Sequence, residues 1–225
     1  MSKTYEAHKL IVKFTLFKNF TYLVVDSKSK EAAIIDPAWE LNLILNKIKK
    51  LNANLKYILL THSHFDHTNL VKLLLRHFNP QVFMHEKEIN YYHFRCNNLQ
   101  PIGHLNKIKF GNTTITSLFT PGHTAGGTCF LLKGSLFTGD TIFTEGCGIC
   151  YGKGSSPKAM FRSLQMIKST ISKEVRVYAA HSFGKALGQL FGKLLKENIY
   201  LQFDNESDFV TFRMRKNQKG LFNFR

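Results

Sequence analysis

The segment THSHFDHT, residues 61–68, contains four side chains of types that bind metal ions: His62, His64, Asp66 and His67. It follows an apolar run at 57–60, which predicts a buried strand, and precedes an apolar stretch at 70–75, which predicts a helix. On such a loop, His62 and His64 are alternate residues of an extended chain and point the same way. Asp66 and His67 begin the helix and point towards a neighbouring position. The segment could therefore supply ligands to two adjacent metal ions.

Three further candidate ligands each follow a predicted strand. His123 lies in the turn TPGHTAGG after a strand at 113–119, and Asp140 lies in FTGDT after a strand at 135–137. His181 lies in YAAHSFG after a strand at 176–179. Since polar residues at strand ends commonly gather at one edge of a layered fold, we expect these side chains to converge with the first cluster.

Two metal ions held in this way would support hydrolysis. Coordination lowers the pKa of water from about 15.7 to around 7 and polarises a carbonyl under attack. No serine or cysteine nucleophile is then required, so the lack of a GxSxG motif is no objection. Imidazole and carboxylate ligands suit zinc best, and they also suit iron or manganese.

These motifs resemble those of the metallo-β-lactamase superfamily, and within it the glyoxalase II-like branch. The resemblance implies an αββα sandwich with a dinuclear site in which His62, Asp66 and Asp140 are the predicted catalytic residues. It also implies that Asp140 bridges the two metal ions. Besides Asp140, the ligands of the first ion would be His62, His64 and His123, and those of the second would be Asp66, His67 and His181.

Segments without a metal role narrow the resemblance. They are similar to the zinc-dependent hydrolases encoded with trans-acyltransferase polyketide synthases, and they read DPAWE (36–40), FRCNNL (94–99), GDTIFTEGCGIC (139–150), MFRSLQ (160–165) and HSFGK (181–185). This implies a role in polyketide antibiotic biosynthesis, acting on an acyl thioester held on the phosphopantetheine arm of an acyl carrier protein. The predicted substrate contacts are Tyr151, Lys153 and Lys185.

A glyoxalase II-type hydroxyacylglutathione hydrolase is the main alternative. In that branch a basic residue soon after the GCG turn helps to bind glutathione, and here Ile149 takes that place, although Tyr151 keeps the following aromatic. The stretch after His181 is also shorter than the helical domain that completes the glutathione site of glyoxalase II. Both departures favour a carrier-bound thioester. A mono-iron persulfide dioxygenase is a further alternative, but the loop lacks the GxGR turn associated with that branch.

Composition predicts one α/β domain over residues 1–225, with a short basic extension from about 205 to 225. The chain is 44% hydrophobic and 20% charged, and this length is small for two domains. We expect a cytoplasmic protein without a membrane role, because neither a signal-peptide pattern nor an apolar run of transmembrane length is present. Cys147 and Cys150 form a CxxC pair, but no second pair completes a structural zinc site, so reduced thiols near the active site are expected.

The charge balance is strongly basic, with 31 Lys and Arg against 15 Asp and Glu. The C-terminal stretch carries Arg213, Arg215, Lys216, Lys219 and Arg225 and has no acid after Asp208. This surface could assist docking of an acidic carrier protein, or it could reflect general composition. A nucleic-acid partner is not expected, because no basic-aromatic stripe accompanies the charge. A non-catalytic binding module is disfavoured by the complete ligand set.

The predicted elements are two runs of strands mixed with amphipathic helices, which indicates two packed sheets flanked by helices. The first strand is predicted at 11–17 and the last helix at 188–198. Helices are also predicted at 39–50, from 70 to about 76, at 87–95 and at 156–169. The remaining strands are predicted at 21–25, 32–35, 82–84, 107–110 and 129–132.

Overall fold

Two six-stranded sheets form the centre of the protein. The computed structural model describes residues 3–15 and 17–216. The first sheet has its strands in chain order: β1 (Tyr5–Phe14), β2 (Phe17–Asp26), β3 (Glu31–Ile35), β4 (Asn54–Leu59), β5 (Gln81–His85) and β6 (Leu99–Ile102). The second has the order β12-β11-β10-β9-β8-β7, with β7 (Lys107–Phe110), β8 (Thr113–Phe119), β9 (Thr128–Leu132), β10 (Ser135–Gly139), β11 (Arg176–Ala179) and β12 (Gln189–Leu190).

Seven α-helices occur in the described part of the chain, and none of them is long and apolar enough to cross a membrane. They are α1 (Leu41–Lys50), α2 (Phe65–Thr68), α3 (Val71–Phe78), α4 (Glu86–Tyr92), α5 (Pro157–Thr170), α6 (Phe191–Glu197) and α7 (Glu206–Arg213). A short 3-10 helix, Ile199–Leu201, lies between the last two.

Alternating side chains on the strands separate the layers. In β3, Ala32 and Ile34 pack in the core beneath α1 and α3, whereas Ala33 and Ile35 pack with Phe137 in the core between the sheets. A third core lies between the second sheet and helices α5 to α7. Because successive strand residues point to opposite faces, a sheet covered on both sides reads as a nearly continuous apolar run. The predicted αββα sandwich is confirmed.

The direction of the strands brings the candidate ligands to one edge. In the second sheet β9 is antiparallel to both β8 and β10, while β10 and β11 are parallel, so β8, β10 and β11 all point the same way. In the first sheet β3 to β6 are mutually parallel. The segments that follow β4, β8, β10 and β11 are therefore the ones that can meet above the sandwich.

Asp26 joins the two sheets at another point. Its carboxylate accepts hydrogen bonds from the Asn112 nitrogen at 2.9 Å and from the Thr113 hydroxyl at 2.8 Å, besides the Ser29 nitrogen at 2.8 Å. Burial alone would raise the pKa of Asp26, but these hydrogen bonds lower it to about 2. The ionised carboxylate is thus part of the folded state.

Several elements of the sequence prediction are wrong. The first strand spans Tyr5–Phe14, and Thr15 has a left-handed φ of 54° at the turn into β2. The last predicted helix begins only at Phe191, because residues 189–190 pair with β11 instead. Strand β6 and helix α7 were missed, since neither carries a clear apolar period. By contrast, the strands predicted at 107–110, 113–119 and 176–179 are confirmed residue for residue.

Candidate metal centre

Four strand ends deliver the seven candidate ligands. The loop after β4 carries His62 and His64 and runs into α2, which carries Asp66 and His67. The other three follow β8, β10 and β11 and are His123, Asp140 and His181. All seven lie together at this edge, in three overlapping groups whose donor atoms are within 4.8 Å of one another.

The first group of donors consists of three imidazoles. His64 Nδ1 lies 3.0 Å from His62 Nε2 and 3.1 Å from His123 Nε2. Asp140 Oδ2 lies beside these three donors, 3.4 Å from His123 Nε2. This is the composition that the sequence predicts for the first metal ion.

The second group combines two imidazoles with a carboxylate. Asp66 Oδ2 lies 3.5 Å from His67 Nε2 and 3.4 Å from His181 Nε2. The other oxygen of Asp140, Oδ1, lies 3.6 Å from His67 Nε2 and 3.5 Å from His181 Nε2. Asp140 therefore turns one oxygen to each group.

These separations fit metal ions. With zinc bonds of about 2.0–2.1 Å, the ligands of a tetrahedral site lie about 3.3 Å apart, and the donor distances of 3.0–3.6 Å surround that value. Within the described residues, His67 Nε2 and Asp140 Oδ1 are buried without a hydrogen-bond partner. Such atoms are costly unless something binds them, so they indicate a cation between them.

Hydrogen bonds to the distal imidazole nitrogens fix the orientation of three ligands. His67 Nδ1 donates to Asp36 at 2.9 Å, His123 Nδ1 donates to the Ile149 carbonyl at 2.8 Å, and His181 Nδ1 donates to the Lys18 carbonyl at 3.3 Å. Because each Nδ1 carries the proton, Nε2 is left as the basic atom that faces the centre. These outer hydrogen bonds therefore select the imidazole tautomer that metal binding needs.

Charge around the two groups is uneven. Burial, followed by the neighbouring imidazoles, lowers the pKa of His62 well below its ordinary value. His67 behaves in the opposite way: burial alone would lower its pKa, but Asp140, Asp36 and Asp66 raise it to about 10. Three carboxylates thus concentrate negative charge around one imidazole, and this charge favours a bound cation.

Glu88 connects two of the ligand-bearing loops, and sequence reasoning did not single it out. Its side chain is fully buried at the start of α4. Oε1 accepts hydrogen bonds from the Ser63 nitrogen at 2.8 Å and the Ser63 hydroxyl at 2.7 Å, and Oε2 accepts one from the Gly126 nitrogen at 2.7 Å. Ser63 lies between two ligands, and Gly126 lies in the turn that carries His123.

The approach of Glu88 also explains the glycine at position 126. A side chain at Gly126 would overlap the backbone of Glu88. The sequence offered only a weak signal for this contact, because an acidic residue in a first helical turn is expected to be exposed and to favour the helix dipole. Burial, which the sequence does not reveal, makes Glu88 a connection between loops.

The three predicted substrate residues lie on loops around this edge. Lys153 is exposed, and its carbonyl accepts the Tyr92 hydroxyl at 2.6 Å. Lys185 is also exposed, and its Nζ lies 3.2 Å from a carboxylate oxygen of Glu197. Tyr151 is half-buried. Their contact with substrate stays a prediction.

The prediction of a basic C-terminal surface is wrong for Arg213, which is fully buried. Its Nε donates to the Gly148 carbonyl at 3.0 Å, so it anchors the GCG turn and presents no charge for docking. Arg215 and Lys216 are at least partly exposed, while the predicted Lys219 and Arg225 fall outside the described residues. The reason is that α7 packs on α5, which places Arg213 in the core beneath it.

The CxxC thiols lie in the same core. Cys147 and Cys150 are buried and free, and burial raises the pKa of Cys147 above its ordinary range. A raised pKa keeps a thiol protonated and unreactive. The expected reduced thiols near the site are therefore packing residues of the third core, between the second sheet and helices α5 to α7.

Comparison with known proteins agrees with the family that the motifs resemble. The profile of the "Metallo-beta-lactamase superfamily" matches residues 15–178. The chain is 50% identical over 225 residues to "Probable polyketide biosynthesis zinc-dependent hydrolase PksB" of Bacillus subtilis (strain 168), with 100% of both chains covered. It is 36% identical over 191 residues to "Hydroxyacylglutathione hydrolase" of Buchnera aphidicola subsp. Baizongia pistaciae (strain Bp), covering 85% of this chain and 73% of that protein.

Among solved structures, ETHE1 from Myxococcus xanthus superposes with a TM-score of 0.82 at 23% identity. The match covers 92% of this chain and 89% of that one. At this level of identity the likeness concerns the fold.

Proposed function

The chain belongs to the metallo-β-lactamase superfamily, and on that premise we propose that it is a dinuclear zinc hydrolase of polyketide biosynthesis that cleaves acyl thioesters from acyl carrier proteins. Membership of the family predicted from the motifs is confirmed. The substrate and the individual roles of the site residues are the proposal.

One observation carries the proposal: the two oxygens of Asp140 face two separate donor groups. A carboxylate placed in this way would serve both ions. His62, His64 and His123 would hold the first ion, and Asp66, His67 and His181 would hold the second. The donors are imidazole nitrogens and carboxylate oxygens without thiolate, a set that suits zinc, and the relative in Bacillus subtilis is named as zinc-dependent.

When bound, the two ions would supply a water of lowered pKa and a Lewis acid for a carbonyl oxygen. The protein's own residues orient that chemistry. Asn19 donates to Asp66 Oδ2 at 3.0 Å and so fixes one carboxylate of the second group. The side chain of Asp66 is 35% exposed, against 11% for Asp140. Asp66 is the more accessible of the two carboxylates and would therefore be the one that passes a proton between the site and solvent.

The substrate handle follows from the loops around the centre. Ile149 offers no charge to a glutathione carboxylate, and its carbonyl is already engaged by His123. Lys185 pairs with Glu197 on the surface, where 47% and 42% of the two side chains are exposed. An exposed pair contributes about 0–1 kcal/mol, so Lys185 can exchange it for a phosphate. Together with exposed Lys153, it suits the phosphate of a phosphopantetheine arm.

The surface also suits an acidic carrier protein. The chain has a formal net charge of +16, and charge of one sign speeds the encounter with a partner of the opposite sign. Docking would use exposed basic residues and not Arg213.

A thioester panel tests the proposal. The zinc-loaded protein is assayed with an acyl-carrier-protein thioester, the matching acyl-pantetheine phosphate thioester and S-lactoylglutathione. We expect much higher kcat/KM on the first two, since the missing basic contacts remove binding energy for glutathione. Equal or faster turnover of S-lactoylglutathione would favour the hydroxyacylglutathione hydrolase reaction, which the Buchnera relative's name supports.

A further inference from the structure

Three aromatic side chains form an exposed aromatic platform beside the metal centre: Phe14 at the end of β1, Trp39 before α1 and Phe65 in α2. The rings of Phe14 and Trp39 stack with centroids 4.9 Å apart, and Trp39 meets Phe65 edge-on at 5.8 Å. Phe14 is 54% exposed and Phe65 is 72% exposed. Single exposed apolar residues are ordinary, whereas a contiguous group of them marks a binding surface.

The backbone holds Trp39 in an uncommon conformation. Its φ is 62°, in the left-handed region that bulky residues rarely adopt. Its nitrogen donates to Asn69 Oδ1 at 2.9 Å, and its indole Nε1 donates to Asn19 Oδ1 at 3.0 Å. Such strain persists where surrounding contacts enforce it, and it is concentrated at functional sites. The indole is therefore fixed in place before any ligand arrives.

The aromatic platform is continuous with the metal centre. Phe65 lies in the sequence between His64 and Asp66, which belong to different donor groups. Asn19 binds the Trp39 indole and also donates through Nδ2 to Asp66, at 2.8 Å to the carbonyl and 3.0 Å to Oδ2. A carbonyl placed between the donor groups would have this aromatic surface at its side.

We propose that the aromatic platform is the acyl-chain subsite and that it selects thioesters with extended apolar acyl groups. The inference rests on the proposed thioester function and names the substrate class of the same site. Aromatic side chains bury about 150–250 Å² each, so three partly covered ones fall below the roughly 800 Å² per partner of a stable protein interface. A single apolar chain fits this area better than a partner protein.

Trp39 provides a direct readout, because it is the only tryptophan in the sequence. The zinc-loaded protein is titrated with ethyl, hexyl and decyl thioethers of pantetheine, which cannot be hydrolysed. We expect the fluorescence of Trp39 to move to shorter wavelength as the chain displaces water. We also expect Kd to fall by about twofold per methylene, less than full burial would give because the surface is open.

Variants separate the platform from general hydrophobic binding. Phe65→Ala and Phe14→Ala should flatten the dependence of Kd on chain length. Phe65 lies between two candidate metal ligands in the sequence, whereas Phe14 has none beside it, so the second variant leaves the metal centre untouched. The matched control is Ile199→Ala, which removes an apolar side chain that is 45% exposed on the 3-10 helix and should behave as the wild type. Unchanged fluorescence at saturation, or an unchanged chain-length dependence in both platform variants, would overturn the inference.

Kinetics distinguish this inference from the proposed function. If binding strengthens with chain length but no thioester is hydrolysed, the platform stands and the proposed function fails. If thioesters are hydrolysed with equal kcat/KM for acetyl and decanoyl groups, the function stands and the platform fails.

Discussion

Replacing Glu88 by glutamine should weaken both the fold and the first metal position. The amide retains one acceptor oxygen and substitutes a donor for the other. That donor must face either the Ser63 or the Gly126 nitrogen, which both donate to Glu88 in the wild type. At least one hydrogen bond to a charged group is lost, so we expect the free energy of unfolding to fall by about 1.5–3 kcal/mol.

The effect on metal binding follows from the position of the two loops. Ser63 stands between His62 and His64, and Gly126 belongs to the turn of His123, so all three donors of the first group depend on the contact. Loss of an outer-shell partner costs about 10–100-fold in metal affinity. Because Glu88 acts through the backbone, we expect the zinc affinity to fall by about tenfold, at the lower end of this range.

Two measurements on the same preparations check this prediction. Urea denaturation of the metal-free protein gives the stability, and competition with a chromophoric chelator gives the zinc affinity. Glu86→Gln is the matched control, since Glu86 lies in the same first turn but is exposed. If the two variants match in both measurements, the reasoning is refuted. If Glu88→Gln lowers stability but leaves zinc affinity intact, Glu88 supports the fold and not the site.

Asp140→Ala should reduce the metal content from close to two ions per chain to one or fewer and abolish hydrolysis; elemental analysis showing two ions in the variant would contradict the bridging role. Replacing Lys153 and Lys185 by glutamine should lower kcat/KM more for a phosphopantetheine thioester than for an N-acetylcysteamine thioester. The control is Lys193→Gln, because Lys193 also pairs with Glu197. Equal losses on both substrates would argue against a phosphate contact. Asp26→Asn should destabilise the protein most above pH 4, because the folded pKa of Asp26, about 2, lies below the ordinary 3.8. The stability that the carboxylate contributes is then lost as the pH falls from about 4 to 2. A denaturation series in which the difference between variant and wild type stays constant across that range would refute this.

The sequence by itself determined the family and the layered fold, and it supplied the candidate donor residues. Metal ligands have distinctive types and spacings, and strands buried on both faces leave continuous apolar runs. Local patterns therefore sufficed to place His123, Asp140 and His181 after their strands. They also sufficed to predict that these strand ends meet, because polar residues at strand ends commonly gather at one edge of a layered fold.

Only the tertiary structure decided how these residues are arranged and what supports them. The division of the two oxygens of Asp140 between two donor groups depends on a side-chain orientation that no spacing encodes. Glu88 and Arg213 look like exposed charges in the sequence, yet both are buried beneath the loops that they hold. Likewise, Phe14 and Phe65 resemble core residues until the fold places them at the surface with Trp39 between them. Sequence periodicity reports which way a side chain points within its own element, whereas burial and contact depend on which distant element packs against it.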